Sequence, residues 1–117
     1  MIRPLAALAL LASPALADAP VVEDASARQS GDAWTISVTL SHPDTGWDHY
    51  ADGWEVLTPD GQRLGFRELL HPHVNEQPFT RSLSGVTIPD DLTQVLIRAR
   101  DNVDGWADAT FELPLER

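Results

Sequence analysis

The segment 33–41 alternates between large apolar side chains and small hydroxyl-bearing ones. The apolar positions fall on one side of an extended chain, at Trp34, Ile36, Val38 and Leu40, with Ser or Thr residues between them. A period of two residues is the mark of a strand and not of a helix. The segment therefore predicts a strand with one buried face and one solvated hydroxyl face.

Six further segments have strand-like composition and are separated by turn residues, at residues 20–29, 50–58, 64–69, 79–88, 95–99 and 107–113. Residues 30–32 and 58–61 contain the Gly, Pro and Asp residues that favour tight turns. No stretch shows a sustained helical period, and a chain of 117 residues is expected to form a single domain. Seven short strands joined by turns predict an all-β sandwich.

Two of the predicted strands change phase along their length. Leu64 and Phe66 share the core face of the fourth strand, and Leu69 falls out of step with them. We therefore expect a bulge at Gly65 or Arg67, before Leu69, because one extra residue reverses the alternation. The fifth strand is expected to change phase at Gly85 in the same way.

Residues 88–105 contain a Pro-bearing turn, an alternating strand and a polar loop with Gly. This stretch resembles the second half of a fibronectin type III or related immunoglobulin-like domain, which implies a seven-stranded antiparallel immunoglobulin-like β-sandwich. Exported copper-resistance domains of the CopC type are similar in size, compartment and fold. Their ligand pattern begins with a His at the mature N-terminus, where this chain would have Asp18, so none of their metal ligands is carried over.

The first 17 residues have the pattern of a cleaved signal peptide. Arg3 precedes an uninterrupted run of Leu and Ala, and small residues occupy positions 15 and 17. The run is shorter than the roughly 20 residues that span a bilayer, so no membrane insertion is expected. We predict a signal peptide at 1–17, a single domain at 18–117 and a periplasmic or secreted location.

Charge and composition exclude several classes of function. The chain has eight basic residues, all of them Arg, and 18 acidic residues, which gives a net charge of −10. Such a chain repels nucleic acid, which is bound through clustered cations. The absence of Cys removes disulfides, thiol catalysis and thiolate metal sites.

All four His residues lie in two predicted connecting segments, 42–49 and 71–73. If consecutive strands run antiparallel, the loops after strands two, four and six emerge at the same end of the sandwich. We therefore expect both His-bearing segments to lie at that end together with the loop that follows Asp101.

A shared end for the four His predicts a divalent metal site. Two imidazoles at positions i and i+2 of an extended segment project to the same side. Nitrogen and oxygen ligands without sulfur suit Cu(II) or Zn(II). The predicted ligands are His42, His49, His71, His73, Asp48 and Asp101. In this interpretation the protein is a metal carrier or accessory protein and not an enzyme.

Three other interpretations use the same loops. The His residues could be solvated or bonded within their turns, which is common for His-Pro sequences. Oxygen ligands at 101–105 could bind calcium, although the spacing is not that of a calcium loop. Trp47 and Trp106 could instead contact an exported protein or a glycan, making the chain a non-catalytic binding module without metal.

Overall fold

The computed structural model describes residues 19–117, and within this range the chain forms strands and no helix. The eight strands are β1 (Val21–Ser30), β2 (Ala33–Ser41), β3 (Ala51–Leu57), β4 (Arg63–Glu68), β5 (Phe79–Val86), β6 (Gln94–Asp101), β7 (Gly105–Trp106) and β8 (Phe111–Pro114). The part of the chain described here therefore contains no helix that could cross a membrane.

The strands form two antiparallel sheets. One sheet has the order β1-β2-β5, and the other has the order β4-β3-β6-β7, with β8 also paired to β6. The hairpin turn at Gly31 has a positive φ of 62°, a conformation that suits Gly, and it joins β1 to β2 in direct register. All strand pairs are antiparallel.

The core lies between the two sheets. The apolar face of β2 supplies Trp34, Ile36, Val38 and Leu40, each almost fully buried, and their neighbours along the strand are half-buried. The second sheet faces them with Trp54 and Val56 from β3 and Val95, Ile97 and Ala99 from β6. Each large side chain buried in this way contributes about 1.5–3 kcal/mol to folding.

The all-β prediction is confirmed, and the strand count is eight where seven were expected. The predicted strand at 107–113 begins later, at Phe111 of β8, and the additional strand is the two-residue β7, which lies in the predicted loop before it. Ala107 still donates its N–H to the Ala99 carbonyl at 2.8 Å, whereas Ala109 is exposed. The predicted signal peptide at 1–17 lies outside the described residues.

The phase change in β4 comes earlier than predicted. The register shifts between Val56 and Leu57, opposite Leu64, so Phe66 lies on the outer face of the sheet and not in the core. There its ring covers Gly53, where an added Cβ would lie 2.8 Å from the ring atoms. The phase change at Gly85 is confirmed: the register shifts between Leu83 and Val86, and Gly85 has a φ of 73°.

Candidate metal centre

The three loops that carry the predicted site residues meet at one end of the sandwich. The backbone N–H of His73, in the β4–β5 loop, donates to Asp44 in the β2–β3 loop at 2.8 Å. The side chain of Asn102, which follows β6, donates to the Trp47 carbonyl at 3.0 Å and accepts from the Tyr50 N–H at 2.9 Å. These bonds link all three loops, as antiparallel threading predicts.

One group of three potential ligands is found among residues 19–117: His42, His49 and Asp101. One ligand atom from each residue lies within 4.8 Å of the other two. The Nε2 atoms of His42 and His49 lie 3.8 Å and 3.4 Å from the Asp101 carboxylate oxygens. Ligands about 2.0–2.1 Å from a tetrahedral ion are about 3.3 Å apart, so small side-chain rotations would be sufficient.

The facing atoms of this group are unpaired. Nε2 of His42, Nε2 of His49 and Oδ2 of Asp101 are shielded from solvent and make no hydrogen bond within the described chain. A buried polar group without a partner costs about 1–3 kcal/mol, and more when it is charged. Three such atoms in one small group form an unfavourable arrangement that a bound cation would relieve.

Asp44 fixes the orientation of His42. Its Oδ1 lies 2.6 Å from His42 Nδ1 and also accepts the Ala51 N–H at 2.9 Å. A carboxylate accepts hydrogen bonds, so Nδ1 of His42 is the donor, which leaves Nε2 as the free ring nitrogen. A carboxylate on the far nitrogen of a His is the usual support of a metal-bound imidazole.

Asp101 is held by the backbone at the end of β6. It is completely buried, and its Oδ1 accepts the N–H groups of Val103 and Asp104 at 2.9 Å and 2.7 Å. The turn then closes at Gly105, whose φ of 78° favours glycine. Oδ1 therefore anchors the loop and also lies 3.4 Å from His49 Nε2, whereas Oδ2 lies 3.8 Å from His42 Nε2.

A second carboxylate lies at the edge of the group. Oδ2 of Asp104 is 3.9 Å from His49 Nε2, and the Asp104 side chain is one-third exposed. Asp101 and Asp104 also border a pocket of about 170 Å³ that contains Trp106 in its wall. Asp104 is therefore within reach of an ion held by the first three ligands.

His71 and His73 form a separate pair and do not join this group. The ring of His73 stacks on Phe79 with centroids 3.8 Å apart, and the guanidinium of Arg81 lies 2.9 Å from its Nε2. His71 is exposed, with its ring 4.7 Å from that of His73. Burial lowers the pKa of His73 below its ordinary value, and the charge of Arg81 lowers it further. Because Arg81 is a cation, a metal ion bound by His71 and His73 would be repelled by it.

The remaining predicted residues are dispersed. Asp48 is exposed and is not one of the three grouped ligands. Trp47 is exposed and packs edge-to-face on Tyr50, with centroids 5.5 Å apart. The ring of Trp106 lies on the outer face of the second sheet, where the guanidiniums of Arg63, Arg98 and Arg100 are 5.1–5.5 Å from it. Trp47 and Trp106 therefore do not form a single platform.

Sequence reasoning missed the roles of Asp44 and Asp104. Asp44 was not among the predicted site residues, although a carboxylate two residues from a His in an extended segment can reach its ring. Asp104 was placed at the correct end but was not among the ligands. No local pattern signals that Arg81, on a neighbouring strand, would pair with His73.

No protein-family model matches the chain, but a curated relative and solved structures of similar fold are found. The chain is 45% identical over 101 residues to a curated protein of Halomicrobium mukohataei named "Putative lipoprotein". The match covers 86% of this chain and 49% of that protein, so the chain spans about half the length of the relative.

One structural neighbour is a crystal structure of a hypothetical protein from Pyrococcus horikoshii OT3. It superposes with a TM-score of 0.53 at 19% identity, covering 83% of this chain and 87% of the other. This likeness shows a shared fold. Neither of the two proteins bears the name of a CopC-type copper-resistance domain.

Proposed function

We propose that the protein binds a divalent transition metal, Cu(II) or Zn(II), through His42, His49 and Asp101. The observation that carries the proposal is that one group of three potential ligands contains three buried polar atoms without a hydrogen-bond partner. Two imidazole nitrogens and a carboxylate oxygen suit these ions, and no thiolate is available to favour a softer one.

The electrostatics of the three loops support a cation at this position. The Asp101 carboxylate faces the imidazoles, Asp44 supports His42 from behind, and Asp104 lies 3.9 Å from His49. The guanidinium of Arg81 is held at His73, and those of Arg63, Arg98 and Arg100 lie around Trp106. The site therefore offers negative charge where the ion would lie and leaves Asp104 as a fourth ligand.

In this proposal the protein is a carrier or accessory protein in the cell envelope and not an enzyme. The signal-peptide pattern at 1–17 supports export, and the name of the Halomicrobium relative is consistent with an envelope protein. The two-sheet architecture supports our assignment of an immunoglobulin-like fold. Such domains carry binding residues on the loops at one end, which is where the ligand group lies.

Asp101→Asn provides the sharpest test of the proposed ligand set. The Asn carbonyl can still accept from Val103 and Asp104, and its amide can donate to the free imidazole nitrogen. We expect the metal-free variant to melt at or above the temperature of the wild type. The wild type should melt roughly 10 °C higher at saturating metal, and the variant should show no such shift.

Calorimetric titration with Cu(II) and Zn(II) provides the affinities. The wild type should bind with a Kd below about 10 µM, equivalent to about 7 kcal/mol. Asp48→Asn, which removes the same charge from an exposed position, and the double variant His71→Ala/His73→Ala should bind nearly as well. Weak binding by the wild type, or unchanged binding by Asp101→Asn, would refute the proposal.

A further inference from the structure

The loops around the proposed metal site carry exposed apolar side chains. Trp47 is 65% exposed, Leu70 66%, Val74 50% and Val103 59%. Six large hydrophobic residues are exposed in the described chain, and these four lie on the three loops that meet at the site. Single exposed apolar residues are ordinary, but their concentration at one end indicates a contact surface. We call Trp47, Leu70, Val74 and Val103 the apolar rim.

Hydrogen bonds hold the rim in place. Asn102 donates to the carbonyl of Trp47, so the loop with Val103 is fixed against the loop with Trp47. The His73 N–H bond to Asp44 fixes the loop that carries Leu70 and Val74. A surface ordered before binding loses less conformational freedom when a partner docks.

The charge around the rim defines its partner. The loops at 42–50, 69–78 and 102–110 contain no Arg or Lys, and their exposed acids are Asp48, Glu76, Asp104 and Asp108. A second copy of the chain would bring two such acidic surfaces together. A membrane would have to accept Asp48 and Asp104, which directly follow Trp47 and Val103 in sequence, at considerable cost.

We propose that the apolar rim docks a protein partner that has an apolar centre surrounded by basic side chains. Trp47 and Val103 are each two residues from a proposed ligand, and the loop that carries Leu70 and Val74 is bonded to Asp44, so the docked partner would cover the proposed metal site. The further role of that partner, giving or taking the ion, rests on the proposed function. The docking surface itself does not require the metal.

Photo-cross-linking in cells that produce the protein identifies the partner. The cross-linking residue p-benzoylphenylalanine replaces Leu70 in the rim, or Gln62 as a control in the β3–β4 turn at the opposite end. We expect one protein to be captured from the Leu70 position and not from the Gln62 position. Equal capture at both positions, or none at Leu70, would contradict the proposal.

The captured protein is then purified and titrated with the wild type, Trp47→Ser/Val103→Ser and Gln62→Ser. We expect the rim variant to weaken binding at least tenfold, Gln62→Ser to leave it unchanged, and added salt to weaken the wild-type complex. Co-sedimentation of the wild type with phosphatidylcholine vesicles, or a dimer that the rim variant abolishes, would identify a different occupant and overturn the proposal.

The same titration with Asp101→Asn separates the two proposals. If this variant loses metal but keeps the partner, both proposals stand. If the wild type binds the partner but no metal, the proposed function fails and the docking surface remains. If the wild type binds metal while rim substitutions leave partner affinity unchanged, only the docking surface fails.

Discussion

Asp101 and Asp44 are the residues on which the site depends. Both are buried carboxylates, and burial of an ion costs several kcal/mol unless partners compensate it. Asp44 is compensated by three donors, from His42, Ala51 and His73. Asp101 is compensated only at Oδ1, so its Oδ2 is the atom with most to gain from a cation.

Asp44→Asn is expected to weaken metal binding and to destabilise the fold. An amide nitrogen would face a backbone or ring N–H that now has a carboxylate oxygen as partner. We expect a 10–100-fold loss of metal affinity and a loss of about 1–3 kcal/mol in the free energy of unfolding. Calorimetry and urea denaturation measure both quantities, with Asp48→Asn as the matched exposed control. Equal effects of the two substitutions would contradict the support role of Asp44.

The lowered pKa of His73 predicts that the folded protein loses stability at acidic pH. Its pKa in the folded protein lies below the ordinary value of 6.5, through burial first and Arg81 second. Below about pH 6.5 the unfolded chain therefore binds a proton that the folded protein resists. The stability contributed by neutral His73 is complete above this pH and is lost as the pH falls towards the folded pKa.

Thermal melts of metal-free protein between pH 7.5 and pH 5 test this dependence. We expect the melting temperature of the wild type to fall more steeply with acidification than that of His73→Gln, whose side chain can still accept from Arg81. His71→Gln alters an exposed imidazole and should behave as the wild type. Parallel curves for the wild type and His73→Gln would show that His73 is not the group responsible.

At the scale of strands and loops, the sequence is informative where burial alternates. The period of β2 and β6 is visible because one face of each strand is buried and the other is not. The bulge in β4 depends on which residue of β4 pairs with Leu57. The start of β8 depends on which residues pair with β6. Neither is a local property, which is why Phe66 was wrongly assigned to the core.

In the loops, too, one feature can be predicted from the sequence and another depends on contacts with other strands. Antiparallel alternation alone predicts that the segments after β2, β4 and β6 share one end, and this holds. The choice of ligands among the side chains at that end depends on partners supplied by other strands. Nε2 of His73 contacts Arg81 of β5 and not the other His residues of the predicted site. Nδ1 of His42 is bonded to Asp44, which leaves its Nε2 facing Asp101.

Gly85→Ala tests the bulge in β5. An added Cβ would meet no atom within 4 Å, so its cost comes from the positive φ of 73° alone. We expect a loss of about 1–2 kcal/mol in the free energy of unfolding, measured by urea denaturation. Ser84→Ala, at the adjacent exposed position, should change it by less than about 0.5 kcal/mol. No loss in Gly85→Ala would mean that this backbone conformation is not imposed by the fold.

At the scale of the whole molecule, charge is divided between two regions. Three of the eight Arg residues surround Trp106 on the outer face of the second sheet, where Glu55 pairs with Arg63 and Arg98 and Asp52 pairs with Arg100. The three loops at the site end contain only acidic and neutral residues and the four His. The end where an ion and a basic partner are proposed to bind therefore has loops with acidic residues and without Arg or Lys.

Anomalous diffraction from crystals of the Zn(II)-loaded protein would locate the ion among the candidate side chains. We predict a peak about 2.0–2.2 Å from His42 Nε2, His49 Nε2 and an Asp101 carboxylate oxygen. A peak between His71 and His73, or no ordered ion at this end of the sandwich, would contradict it.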